Sequence, residues 1–295
     1  MLNISGLKLP MIGDKLVGGN VYFVDSGATG VNNGNLGLHP VNSPLATLAG
    51  AIAKCENDNG DFIVLMPGHA ETPTAEITIN KSDVTIIGIG NGKNRPKFTF
   101  TMAATGDNIA IDADDVTIDN IYMAAGGATQ TAIFDVNAAN FTLKNCLIEQ
   151  GANNLAGLTL TSNAADTMII NNEFEITANG PDHCIKIEAS GSTGMRVIGN
   201  LFNGMSQANG WDTGCIYSAT QSAHVVITDN TMMFVTGNAG LIQLTAACTG
   251  IIARNILGEG ALAQMLDPGS CMCFNNYEAD AVDESARLFP TSGAA

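Results

Sequence analysis

Apolar and polar positions alternate in one short phrase that returns about seven times between Asn108 and Asn276. It reads VTIDNIYM from Val116, FTLKNCLI from Phe141, IINNEFEI from Ile169, VIGNLFNG from Val197, ITDNTMMF from Ile227 and IARNILGE from Ile252, with a worn copy, CFNNYEA, from Cys273. Its asparagines stand at 120, 145, 172, 200, 230, 255 and 276, in steps of 25, 27, 28, 30, 25 and 21. A second phrase, beginning at Ile109, Ile133, Leu158, Ile185, Ile216, Ile242 and Met265, keeps the same beat. Within each phrase, as in Phe141-Thr142-Leu143-Lys144, the period of two is that of a strand with one buried face.

A unit of about 25 residues with two or three short strands cannot close a core alone, whereas stacked units pair in parallel and bury one apolar column. The pattern predicts an all-β fold, a single-stranded parallel β-helix of roughly eight coils. The asparagines suit its turns, because Asn tolerates the left-handed conformation and its amide can bond to the Asn above and below. An apolar residue two places after six of them (Tyr122, Leu147, Phe174, Phe202, Met232, Leu257) predicts a turn that keeps side chains pointing inward. The copies at Asn200 and Asn230 carry one residue more before the Asn than those at Asn120 and Asn145.

Four segments follow. Residues 1–20 form an arm whose Leu2, Ile4, Leu7, Leu9 and Met11 either cover the open end of the solenoid or lie on a neighbouring subunit. Residues 21–72 form an N-terminal cap. In it, Ser43 and Pro44 open a helix with Leu45, Leu48, Ile52 and Cys55 on one face, the lid that the first coil needs. Residues 73–277 are the β-helix, and 278–295 an acidic tail in which Leu288 and Phe289 dock as a second cap or on a partner.

The opening carries a resemblance. The strand ending Tyr22-Phe-Val-Asp25, the Gly/Asn loop, the run Pro44-Leu-Ala-Thr-Leu48 and Gly60-Asp-Phe-Ile-Val-Leu-Met-Pro-Gly68, followed by the repeats, resemble right-handed β-helix proteins of the pectate-lyase-like superfamily. Residues 19–72 resemble in particular tailed-bacteriophage proteins of this fold that look like virion components. The resemblance implies a structural protein that decorates or cements a phage capsid, a homotrimer by analogy, made in the host cytoplasm and carried on the virion. Its partners are then the major capsid protein or other virion proteins, with glycans as a further candidate.

Charge and chemistry narrow this reading. Twelve Lys plus Arg against 28 Asp plus Glu give a formal net charge of −16, a poor match to nucleic acid or an anionic membrane. No stretch approaches the roughly 18 apolar residues of a membrane span, and the N-terminus has no signal-peptide pattern. Most of the seven cysteines lie inside strand phrases. Cys184 and Cys215 share one place in their units and are expected to stack as free thiols. Cys271 and Cys273, spaced C-x-C without a second ligand pair, imply no metal, and no cofactor is expected.

Among the four arginines, Arg196 and Arg254 sit on repeat phrases without an acidic cluster beside them, unlike the base of the superfamily's uronate lyases. The densest carboxylates are Asp112, Asp114 and Asp115, with Asp119 and Asp135 as neighbours, in a turn where Asp commonly bonds to backbone. Asp182 beside His183, with Glu188 and Asp212, is the best remaining pair; His39, His69 and His224 read as ordinary loop or strand-end residues. Trp211, in the longest coil, is a candidate subunit contact. The expectation is therefore a non-enzymatic protein without catalytic residues. The alternative is a tailspike-like β-helix that binds or degrades polysaccharide, and a secreted adhesin is a third reading.

Overall fold

A computed structural model describes residues 18–279 apart from 103–105, 125, 127–129, 152–153, 179–180, 189–191, 205–210, 234–239 and 259–264, together with strands at 2–4, 7–9, 11–12, 15–16 and 286–289. The chain is a parallel β-solenoid of three sheets. Sheet I has ten strands, from Val21–Val24 to Met272–Phe274, and sheet III eight, from Ile77–Ile79 to Leu266–Asp267. Sheet II also has ten, nine parallel strands from Ala70–Glu71 to Asn276–Ala279 and the antiparallel strand Ala286–Phe289 that closes it. The eight strands of sheet III are separated by seven coil-to-coil steps, about seven turns in all and roughly 34 Å of rod at ~4.8 Å per step.

Parallel register sets like residues above like. In sheet I, Ile63, Ile86, Ile118, Leu143, Ile169, Val197, Ile227, Ile252 and Cys273 form one unbroken inward column. In sheet II, Phe174 stacks on Phe202 with ring centroids 5.0 Å apart and planes 4° from parallel. No coil buries its own face; each is covered by the coils on either side.

The turn from sheet I to sheet II corrects the asparagine alignment. Asn120 and Asn145 occupy a left-handed position, with φ of 57° and 55°, and share it with Asn171, Gly199, Asp229, Arg254 and Asn275. The buried ladder lies one residue later and consists of Asn172, Asn200, Asn230, Asn255 and Asn276, none more than 2% exposed. Asn200 is typical. Its Nδ2 donates to Ile169 O at 2.8 Å and to Asn230 Oδ1 at 3.0 Å, while its Oδ1 accepts from the Asn172 backbone N–H at 2.8 Å. In the two early coils Ile121 and Cys146 take the ladder position and are buried as apolar side chains.

The residue that looks extra before Asn200 and Asn230 is not an insertion. Every coil of the repeat has the same two-residue turn, 145–146 between Lys144 and Leu147 and 199–200 between Ile198 and Leu201, and the repeat's asparagine stands in its first place in the early coils and its second in the later ones. Phe174, Phe202, Met232 and Leu257 point inward as expected, whereas Tyr122 and Leu147 turn outward and Met123 and Ile148 fill the column.

The expected helix is only five residues, Leu48–Ile52, capped by Thr47, whose Oγ1 accepts from Gly50 N–H at 3.1 Å. Ser43 and Pro44 stand outside it, because Leu45 pairs with the first strand: its N–H donates to Phe23 O at 2.8 Å and its carbonyl accepts from Asp25 N–H at 3.0 Å. The predicted face is nonetheless buried, with Leu45, Leu48, Ile52 and Cys55 all at 4% exposure or less.

Trp211 is not a surface contact. It is fully buried, meets Phe202 edge-on at 6.3 Å, and its Nε1 donates to the buried Gln150 Oε1 at 2.8 Å. Burying a large indole whose one donor is satisfied is more favourable than exposing it. The backbone of the arm forms two short antiparallel pairs, 2–4 with 7–9 and 11–12 with 15–16. The side chains of Leu2, Ile4, Leu7, Leu9, Met11, Leu288 and Phe289 lie outside the described residues.

Candidate functional site

Alternation along sheet III sends Ile109, Phe134, Leu158, Ile185 and Ile216 into the core. The same alternation stacks Asp135, Thr159, Lys186 and Tyr217 on the outer face, one per coil, at the equivalent position. The Asp135 carboxylate is held by two donors: Thr159 Oγ1 to Oδ1 at 2.5 Å and Asn137 Nδ2 to Oδ2 at 2.7 Å. The same Asn137 amide reaches Asp112 Oδ1 at 3.1 Å. Lys186 Nζ pairs with Glu188 Oε1 at 2.9 Å.

Asp107 completes this set. Its Oδ1 accepts from Ala132 N–H at 2.9 Å on the next coil. Burial, and then the neighbouring Asp135 carboxylate, push its pKa up to about 6, with Glu76 and Glu188 adding to the rise. Both effects disfavour the charged form, so Asp107 carries a proton through mildly acidic pH.

The paired Asp182 and His183 line a small cleft on the same face with Thr131, Leu155, Ala156, Thr159, Lys186 and Glu188, about 60 Å³ in volume. Asp212 does not line it. His183 stacks on Tyr217 with centroids 4.5 Å apart. Burial pulls the His183 pKa down, against the opposing influence of Asp182, so the ring is neutral at pH 7.

The Asp112 group divides. Asp112 and Asp114 line an open polar groove of about 640 Å³ with Asn57, Asp58, Asn80, Ser82, Asn137 and Asn163. There Asp114 Oδ1 accepts from Ala139 N–H at 2.8 Å, the backbone role that its turn position predicts. Asp115 is a left-handed turn residue, and Asp119 pairs with Lys144 at 3.2 Å on sheet I, away from Asp135. Among the described residues no group of three or more His, Cys, Asp or Glu is placed to hold a metal.

The remaining candidates are structural in their contacts. His69 is buried between Ser26 N–H, which donates to Nδ1 at 3.0 Å, and Glu71, 2.8 Å from Nε2. His39 Nδ1 accepts from Val41 and Asn42 N–H, and His224 is a left-handed turn residue. Arg254 forms a two-pronged pair with Asp229 on the adjacent coil, at 2.7 and 2.5 Å. Cys184 bonds to Cys215 as a free thiol, and burial pushes the Cys184 pKa up.

Asp107 was not among the sequence candidates. It stands alone two residues before a strand phrase, and only the neighbouring coils supply the burial and the second carboxylate that distinguish it.

No protein-family profile matches the chain, and no curated protein matches it. Solved structures do. A pectate lyase, Pel9A, aligns at 16% identity with a TM-score of 0.56, over 87% of this chain and 70% of that one. A rhamnogalacturonan lyase aligns at 11% and 0.47 over 92% and 90%, and the GH136 lacto-N-biosidase of Eubacterium ramulus at 11% and 0.46 over 88% and 68%. The product of ORF18 of Geobacillus virus E2 also aligns, at 14% identity and a TM-score of 0.32, over 79% of this chain and 57% of that one. The expectation of a non-enzymatic protein is corrected here: the absence of a recognised catalytic signature excluded nothing, because the fold is the one a pectate lyase uses. The chain is an all-β parallel solenoid with pectate-lyase-like structural neighbours.

Proposed function

We propose that the chain acts on polysaccharide, using the outer face of sheet III to bind a neutral glycan and the carboxylates of Asp107 and Asp135 to hydrolyse it. The observation that carries this reading is Asp107, a partly buried carboxyl that burial and the charge of Asp135 raise to about 6. Glycoside hydrolysis requires one carboxyl that still holds its proton, to protonate the leaving oxygen, and a second to assist attack on the sugar. Asp107 has the environment of the first. Asp135, oriented by Thr159 and Asn137, has that of the second.

The glycan is neutral because the face is acidic. Glu76, Asp107, Asp112, Asp135, Asp182 and Glu188 outnumber Lys186, itself paired, so a uronate-bearing polymer is repelled. Of the readings made from the sequence, this chemistry supports the tailspike-like alternative. If the chain belongs to a phage particle, the substrate is a glycan of the host surface.

The test is release of reducing ends from a panel of neutral bacterial and plant polysaccharides. Cleavage is expected to fall about 100-fold or more in Asp107→Asn and in Asp135→Asn, and to survive in Asp114→Asn. It declines as pH rises through about 6, when Asp107 loses its proton. No cleavage of any polymer, or cleavage indifferent to Asp135→Asn, refutes the assignment.

A further inference from the structure

We propose that the outer face of sheet I, over its last five strands, is a docking surface for a second copy of this chain. The inward column of this sheet runs through Ile169, Val197, Ile227, Ile252 and Cys273, so the residues on either side of each point outward. One outward column reads Met168, Arg196, Val226, Ile251 and Met272. The other reads Ile170, Ile198, Thr228, Ala253 and Phe274, so only Arg196 and Thr228 interrupt an apolar face. Met272 is 66% exposed and Phe274 42%. Beside them Val226, Gly250, Ile251 and Met272 line an open apolar groove of about 420 Å³. Soluble monomers rarely leave contiguous apolar surface of this kind in water, and covering it is favourable.

Charge selects what covers it. The chain carries a formal net charge of −16, so two copies repel each other in most orientations. Sheet III presents Asp135 and Asp267, and sheet II presents Glu149, Glu173 and Glu175. On the sheet I face the one charged residue at an outward strand position is Arg196, and the neighbouring turn pair Asp229–Arg254 is neutral as a unit. A cationic partner is drawn to sheets II and III instead, and an anionic membrane is repelled by the chain as a whole. Two copies meet here without opposing their carboxylates, and a twofold axis lying between the faces sets sheet on sheet.

Area sets the strength. Four coil steps of ~4.8 Å make the face about 19 Å long, and strands of three or four residues with the flanking groove make it about 20 Å wide. The two copies together bury about 800 Å², short of the roughly 1,200 Å² of a stable interface, so the dissociation constant is on the order of 10–100 µM.

The experiment is sedimentation velocity of the full chain from about 5 to about 500 µM, concentrations that bracket that constant, at low and at high sodium chloride. Wild type is expected to pass from monomer to dimer across the range. It dimerises several-fold more tightly in high salt, because salt screens the repulsion between the two acidic chains and leaves the apolar contact intact. Met272→Glu sets like charges into the interface and is expected to weaken the dimer about tenfold or more, with an unchanged circular dichroism spectrum. Phe274→Glu, in the neighbouring column, gives the same loss. Leu36→Glu adds the same charge at a 68% exposed residue of the cap loop and changes the constant less than about twofold.

A monomer at every concentration overturns the proposal. So does a dimer that salt weakens, that survives both Met272→Glu and Phe274→Glu, or that Leu36→Glu disrupts equally. The glycan reading is decided separately, by cleavage.

Discussion

Asn200→Ala probes the interaction that ties one coil to the next. The side chain links three coils, donating to Ile169 O and Asn230 Oδ1 and accepting from both the backbone N–H and the Nδ2 of Asn172. Its removal leaves the Asn172 N–H without that acceptor at a site 2% exposed. One orphaned buried donor costs about 1–3 kcal/mol, and each further buried bond lost adds about 1 kcal/mol. Asn230 Oδ1 is spared, because the Asn200 backbone N–H still reaches it at 2.9 Å. The total is about 3–5 kcal/mol, or roughly 10 °C in melting temperature for a domain of this size.

Asn145→Ala is the matched control. Asn145 looks the same in the repeat, but it stands in the left-handed position with one exposed bond, from its Nδ2 to Asp119 Oδ1 at 2.8 Å. It loses mainly its tolerance of positive φ, about 1 kcal/mol. Thermal melting followed by circular dichroism, with urea midpoints as a check, separates the two. If Asn200→Ala melts within 3 °C, roughly 1 kcal/mol, of Asn145→Ala, the ladder is not what couples the coils.

The remaining expectations concern sites elsewhere in the solenoid. Trp211→Phe strands the buried Gln150 Oε1 and costs about 2 kcal/mol; unchanged urea midpoints would refute the bond, and a water-exposed emission spectrum of the wild-type indole would refute its burial. Leu48→Ala empties the one apolar helix face under the first coils and lowers stability by about 2–5 kcal/mol by urea unfolding, whereas a loss below 1 kcal/mol would show that the helix packs loosely. Asp107 binds its proton more tightly folded than unfolded, so the stability it contributes is full below the ordinary value of 3.8 and is lost as pH rises through about 6. Asp107→Asn therefore unfolds at higher urea than wild type at pH 8 and shows no such gain at pH 4; an equal gain at both would refute the shift. Breaking the exposed Asp229–Arg254 pair by Arg254→Gln leaves the melting temperature unchanged.

The period of two inside a 25-residue beat determined the fold, because no other arrangement buries one face of so many short strands that lack helices. It also identified the buried face of the short helix, the stacked thiols at Cys184 and Cys215 and the inward aromatics at Phe174 and Phe202. What the sequence by itself left undecided were contacts made across coils. Asn145 and Asn172 read alike along the chain, yet one is a turn residue and the other a ladder rung, because they stand at the first and second places of the same two-residue turn, which only the register of neighbouring strands tells apart. Trp211 read as a surface residue until Phe202 and Gln150, 9 and 61 positions away, closed around it. Asp107 is an unremarked carboxylate in the sequence. Its raised pKa arises from burial and from Asp135, a coil away, and only tertiary structure brings both to bear on it.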